Sequence, residues 1–266
     1  MDKWNPEDYR KNSSSQQKSA QEAIVKLNLK GNESILDIGC GDGKVTAEIA
    51  SYIPNGSVRG INNSLEMIDF AQKTFPPSYF PNLTFQFADA KNLNFNNEFD
   101  VIVSFFCLHW IIDHIPVLTG IERSLKPNGR ILLLFPAKTN DSHVDTVMSK
   151  VMSSASWSKY FDKFTWPWGF YEPNEYKSWL ESVGLKINRV ELLSTTKGII
   201  EGKESLNGFI RTILFPFTAR IPEALQQNFV EEIAKTYLET YPSDHMGFIY
   251  APPVVRLEVN ATKIVN

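Results

Sequence analysis

The stretch Ser34-Ile35-Leu36-Asp37-Ile38-Gly39-Cys40-Gly41-Asp42-Gly43 constrains this chain more than any other. An apolar strand runs into three glycines spaced one residue apart, and Thr46-Ala47-Glu48-Ile49-Ala50 reads as the start of a helix. Glycine tolerates φ > 0 and lets backbone approach a ligand closely, so this turn is built to press against a cofactor. A dinucleotide fingerprint, G-x-G-x-x-G, would put its third glycine at position 44, which is Lys44. A nicotinamide-dependent oxidoreductase is therefore disfavoured.

The rest of the first half repeats one rhythm. Ser57–Ile61 and Leu83–Phe87 read as further strands, and Phe99–Phe105 is a continuous apolar run, as in a central strand covered on both faces. Ser64 caps a short helix to Lys73, and Arg130–Phe135 follows the Lys126-Pro127-Asn128-Gly129 stop signal as a fifth strand. Strand and helix in alternation predict a doubly wound, mostly parallel Rossmann-like sheet of the α/β class. Ser13–Leu27 reads as an amphipathic lid helix, and Asp141–Trp157 as a helix ahead of an aromatic loop, Tyr160–Tyr171. Strands at Leu185–Leu193 and Val254–Ile264 bracket helices at Ser205–Leu214 and Pro222–Thr240. Residues 1–140 are thus expected to form the cofactor core with its lid. Residues 141–266 are expected to supply the remaining strands of a seven-stranded sheet and a helical, aromatic cap within the same domain.

Composition narrows the setting. A net charge of -3 over 266 residues, with no cluster of Lys or Arg, argues against a nucleic-acid track. Two cysteines, Cys40 and Cys107, and four scattered histidines show no metal-ligand spacing. No apolar run nears the roughly 20 residues of a membrane span. A cytoplasmic protein with a small-molecule substrate is expected; the oligomeric state is not legible.

The ordered series Asp37-Ile38-Gly39-Cys40-Gly41-Asp42-Gly43, Gly60-Ile61-Asn62-Asn63-Ser64, Ala88-Asp89-Ala90, Phe99-Asp100-Val101-Ile102 and Leu125-Lys126-Pro127-Asn128-Gly129-Arg130 resembles class I S-adenosylmethionine (SAM)-dependent methyltransferases. Within that family, Trp4-Asn5-Pro6-Glu7-Asp8-Tyr9 and Cys107-Leu108-His109-Trp110 are similar to the trans-aconitate and juvenile-hormone-acid methyltransferases, which methylate carboxylates of small molecules. The resemblance implies SAM as cofactor. Gly39 and Gly41 would pack on its methionine part and Asp37 would reach its ammonium. Asn62, beside Asn63, stands where the family presents an acid to the ribose hydroxyls, so a charge-assisted bond is lost. Asp89 and Ala90 would hold the adenine, Met67 and Ile68 cover it, and Ser104 and Phe105 lie under the sulfonium.

For the acceptor side, His109 is the candidate general base, being placed by motif at the active-site end of a strand. Gln16, Trp110, Trp166 and Tyr171 are the candidate substrate contacts. A carboxylate, ionised at pH 7, needs no base, whereas a phenol, amine or carbon acid profits from one. The favoured activity is methyl transfer to a carboxylate oxygen of a small, fairly apolar molecule. Methylation of nitrogen or carbon in a secondary metabolite, and a catalytically silent SAM-binding protein, stay open.

Overall fold

An apolar strand that needs cover on both faces dictates the layout. The computed structural model describes residues 5–138, 143–194, 198–251 and 253–264; Trp4 and Asp141, both named above, lie outside them. Two short helices come first, α1 (Pro6–Asn12) and α2 (Ser14–Val25). There follow β1 (Ser34–Ile38), α3 (Lys44–Tyr52), β2 (Ser57–Asn62), α4 (Leu65–Thr74), β3 (Leu83–Phe87), β4 (Phe99–Phe105), α5 (Ile115–Ser124) and β5 (Leu125–Pro136). Next come α6 (His143–Met152), α7 (Pro173–Ser182) and β6 (Leu185–Ser194). A unit made of β7 (Gly198–Glu201), α8 (Gly202–Ile213), α9 (Phe215–Thr218), α10 (Glu223–Thr240) and β8 (Phe248–Ala251) precedes β9 (Val255–Lys263).

Seven strands form one sheet in the order β3-β2-β1-β4-β5-β9-β6, and β9 runs antiparallel to both its neighbours. Successive residues of β1 face opposite sides. Leu36 and Ile38 enter one core with Ile102, Leu118 and Tyr176, while Ile35 enters the other with Ala23, Ile49 and Val101. Helices α5 and α7 cover the first face, and α2, α3 and α4 the second. The strand order reverses between β1 and β4, so the loops after these two strands open a crevice at their C-terminal ends, where ligands bind in such sheets.

The lid helix expected over Ser13–Leu27 is α2, and α1, which sequence reading missed, precedes it with a break at Ser13. The Ser13 hydroxyl donates to the Tyr9 carbonyl at 2.6 Å and accepts from Lys44 Nζ at 2.5 Å, which satisfies groups that a continuous helix would have paired internally. Asn5 starts α1 by accepting from the amides of Glu7 and Asp8, both at 3.1 Å. Sequence reading missed the β7–β8 pair, a two-stranded sheet of its own too short to show a clear alternation. The cap has a third core, in which Phe217, Phe229, Trp157, Phe161 and Ile249 meet. Ile68, expected over the adenine, packs instead into the core beneath α4, because its helical phase points at the sheet.

Candidate active site

β1 ends in a left-handed turn: φ is +80° at Gly39, +55° at Gly41 and +80° at Gly43. Two of these glycines are required for different reasons. A Cβ on Gly39 would sit 2.1 Å from Cys107 Sγ, so the loop after β4 presses directly on this turn. A Cβ on Gly41 would lie 3.4 Å from the Tyr9 ring, so α1 closes over the turn from outside.

Two lobes flank the loop, and Tyr9, Gly39 and Phe106 line both. In the smaller lobe, Asp37, Asp42 and Lys44 face Gln16, Gln17 and Ser13 of the lid. Asp37 is 2% exposed and accepts from the Thr46 hydroxyl at 2.7 Å. Burial lifts its pKa to about 6, against the pull of that hydrogen bond. Asp42 is equally buried, and its Oδ2 has no hydrogen-bond partner. Burial raises its pKa too, opposed first by Lys44, whose Nζ stands 3.9 Å away. Lys44 in turn is lowered by burial. A buried carboxylate oxygen left unbonded beside a second carboxylate is suited to an ammonium group.

The larger lobe is a cleft of about 860 Å³, its mouth included, on the other side of the turn. Asn62, Asn63, Met67, Asp89 and Ala90 line one side; Phe106, Trp110, Ile111 and Phe215 line the other. Asn62 Oδ1 already accepts from the Ser64 amide at 2.9 Å, which ties it to the start of α4. Asp89 Oδ1 accepts from the Lys91 amide at 2.9 Å and leaves its second oxygen 3.8 Å from Lys91 Nζ. The chain thus offers carboxylates to an ammonium in one lobe and amides and a carboxylate to a nucleoside in the other. The amino-acid and adenosine ends of SAM fit this donor set.

Of the residues singled out from sequence, Asp37, Gly39, Phe105 and Gln16 line the smaller lobe, and Gly39, Gly41, Asn62, Asn63, Met67, Asp89, Ala90 and Trp110 the larger. Four stand elsewhere. Ser104 is buried inside β4 and donates to the Ile38 carbonyl at 2.8 Å, because its side chain lies between strands β1 and β4. His109 is 8% exposed and off the cavity wall, in ring contact with Trp110 and Phe170. Burial drives its pKa to about 3, with His114 adding repulsion, so it is neutral at pH 7 and a poor base. Trp166 packs in the cap core against Phe164, Trp168 and Phe217. Tyr171 donates to the Ile112 carbonyl and packs edge-on against His114 and Trp179, because the loop turns back onto α7 there.

Sequence reading passed over Tyr9, Phe106, Cys107 and Phe215 as wall residues. Tyr9 had a signal, since it closes the motif that begins at Trp4. Phe106 had none: only its backbone, at φ +53°, marks it as a residue bent out of a strand to face a cavity.

Comparison with known proteins agrees with this geometry. Residues 35–129 match the family model described as a methyltransferase domain. The uncharacterised methyltransferase C70.08c of Schizosaccharomyces pombe is 30% identical over 73% of this chain and 74% of its own. Trans-aconitate 2-methyltransferase of Streptomyces avermitilis is 28% identical over 81% and 80%. Juvenile hormone acid O-methyltransferase of Bombyx mori is 29% identical over 84% and 82%. The crystal structure of the YcgJ protein of Bacillus subtilis superposes with a TM-score of 0.63 at 16% identity, covering 94% of this chain and 99% of that one. A glycine turn built for close approach, two buried carboxylates in the lobe beside it and these relatives lead to one assignment: the chain belongs to the class I SAM-dependent methyltransferases.

Proposed function

We propose that this enzyme methylates a carboxylate oxygen of a small, fairly apolar molecule, and that the turn after β1 and the loops after β2 and β3 hold the cofactor. In this reading Asp37 and Asp42 take the ammonium, Lys44 faces the amino-acid carboxylate, and Gly39 and Gly41 give the backbone its close approach. Asn62 and Asn63 serve the ribose, while Asp89, Ala90 and Met67 enclose the adenine. Bound there, SAM supplies a sulfonium-activated methyl group. The chain's own task is then to bring an acceptor oxygen in line and to keep water out, and such positioning lowers a barrier by roughly 7–11 kcal/mol.

The observation that carries the reading is the state of His109. The histidine that the motif brings to this end of the sheet is held neutral, off the wall and with a pKa of about 3. Tyr9 is pushed far above neutral pH by burial first and by Asp42 next, and Cys107 is pushed to about 12 by burial and then Asp37. An acceptor that arrives already ionised suits such a wall best, and a carboxylate is that acceptor. The apolar side of the cleft, Phe106, Trp110, Ile111 and Phe215, favours a substrate with a hydrocarbon or aromatic body. Two of the relatives are named for acids or their salts, juvenile hormone acid and trans-aconitate.

The test is transfer of labelled methyl from SAM to a panel of carboxylic acids, phenols and amines matched in carbon skeleton, read by mass spectrometry. Methyl esters as the dominant products are expected. Products confined to phenols or amines would replace this reading with another.

A further inference from the structure

Arg256 lies on β9, level with Pro136 of β5 and Leu193 of β6. That register sets it at the end of the sheet where β4 and β5 deliver the cavity wall, since the Phe106 amide donates to Leu134 of β5 at 2.8 Å. Its guanidinium carbon stands 5.9 Å from the centre of the Phe106 ring, and Phe106 borders both lobes. Arg256 itself lines neither lobe; its contact toward them is the ring of Phe106, which lines both.

The arginine is 7% exposed, its Nε is buried with no hydrogen-bond partner, and among the described residues it forms no ion pair. Arg130 and Arg189 also have an Nε without a hydrogen-bond partner, but their guanidinium ends are engaged: Arg130 Nη2 donates to the Leu27 carbonyl at 2.6 Å, and Arg189 pairs with Glu258, whereas Arg256 has no such bond among the described residues. Burial lowers the pKa of Arg256, and Glu22 of α2 and Glu258 of β9 oppose that from beyond ion-pair distance. Glu258 is already held by Lys26 and Arg189. Buried charges in proteins are paired, so a guanidinium with a ring contact but no hydrogen bond or ion pair, close to a ligand cleft, points to an anion that arrives with the ligand. Its planar fork matches a carboxylate better than any other side chain does.

We propose that Arg256 is a specificity-determining residue of this methyltransferase, receiving a carboxylate of the acceptor molecule at the edge of Phe106. The inference rests on the carboxylate reading above and gives it a recognition group. Holding one oxygen of the carboxylate orients the group and leaves the second to receive the methyl. The same fork admits a dicarboxylate, one arm held and the other methylated.

The experiment is calorimetric titration of the full-length protein, saturated with S-adenosylhomocysteine, with trans-cinnamate, decanoate and trans-aconitate and with the corresponding primary amides. It is run on the wild type, R256Q and R256K. The wild type is expected to bind at least one acid about 30-fold or more tighter than its amide, R256Q to lose that preference, and R256K to keep part of it. Affinity for S-adenosylhomocysteine should be equal in all three, which shows that the fold is intact. Should R256Q fail that control, R256K decides alone, with a loss of about fivefold or more in acid preference expected. A preference that survives in R256Q, or a wild type that shows none, overturns the assignment. Ester formation measured in parallel separates this from the broader reading. Esters made by a wild type without acid preference, or by R256Q at the wild-type KM, leave carboxylate methylation standing without Arg256. Methylated amines or phenols with no ester from any acid end the carboxylate reading itself.

Discussion

The two sides of the cleft are built on different principles. The side proposed for the cofactor is backbone turned at strand ends, with glycines at φ +80° and +55° and short polar side chains fixed by hydrogen bonds two residues away, as in Asn62 to Ser64 and Asp89 to Lys91. The acceptor side is large rings brought from distant parts of the chain: Tyr9 from α1, Phe106 and Trp110 from the loop after β4, Phe215 from the cap. A wall of backbone tolerates one ligand shape, whereas a wall of side chains can be rebuilt while the fold stands.

The harshest way to break that contrast is Gly41→Val. Valine is strained at φ +55°, and its methyls extend beyond a Cβ that already lies 3.4 Å from the Tyr9 ring. Calorimetry should find S-adenosylhomocysteine affinity down by about 100-fold or more while the circular dichroism spectrum is kept. Unchanged affinity would mean that backbone does not shape the cofactor side at this turn.

His109→Phe tests the acceptor side. The imidazole has an ordinary pKa of 6.5 when unfolded and about 3 when folded. Between those values the unfolded chain binds a proton that the folded chain refuses, so stability contributed by the neutral ring is complete above 6.5 and drains away as pH falls. Denaturant titrations should show the variant losing less stability on acidification, by up to about 1.4 kcal/mol per pH unit within that window. The pH dependence of kcat/KM from 6 to 9 should not move, since nothing at position 109 titrates there. If the variant instead erased an ionisation near neutral pH, His109 would be the base and the acceptor would not need to be a carboxylate.

These two positions also show what the amino-acid sequence reveals and why. That Asp37, Gly39, Gly41, Asn62 and Asp89 line the cleft was legible because each of these turns needs a residue type with few other uses, such as glycine at φ > 0 or an acid and an amide at a strand end. The acceptor side was not, because Trp166 and Tyr171 carry the same rings as Trp110 and Phe215, and a ring on a cavity wall has the same sequence signature as one in a core. Trp166 went to the cap core and Tyr171 to the layer over α7, while Phe106 reached the cleft through a backbone angle that its sequence does not announce. The sheet was less ambiguous: strands alternating with helices pointed to its doubly wound, mostly parallel class, though not to the place of the antiparallel β9 between β5 and β6.

Asp37→Asn sharpens the comparison from the cofactor side. The Asp37 carboxyl is raised from 3.8 to about 6 by burial, so its contribution to stability is complete below 3.8 and is lost as pH rises through 6. At pH 7 the folded protein carries an ionised carboxylate it would rather not bury. Asparagine removes that charge and keeps an oxygen to accept from the Thr46 hydroxyl, so the variant should be more stable at pH 7 by about 3 kcal/mol and gain nothing at pH 3.5. The same change should weaken cofactor binding by about tenfold, because an ammonium loses a charged acceptor. Stability that rises while affinity falls is the signature of a group kept for its ligand; a variant that is neither more stable nor weaker in binding would make Asp37 a packing residue.

The mildest change is Asn62→Asp. Its Oδ1 is committed to the Ser64 amide, a bond that a carboxylate makes equally well, so the substitution leaves the start of α4 intact. The second oxygen of an aspartate would accept a ribose hydroxyl with charge where the amide can only donate. Calorimetry should show S-adenosylhomocysteine binding tighter by about fivefold, with the melting temperature of the free protein moved little. The gain should vanish for a 2′,3′-dideoxy analogue of the cofactor product, since only the hydroxyls sense the new charge. A gain that persists without those hydroxyls would mean that position 62 acts through the ammonium or the loop, and the division of labour along the cleft would have to be redrawn from that residue outward.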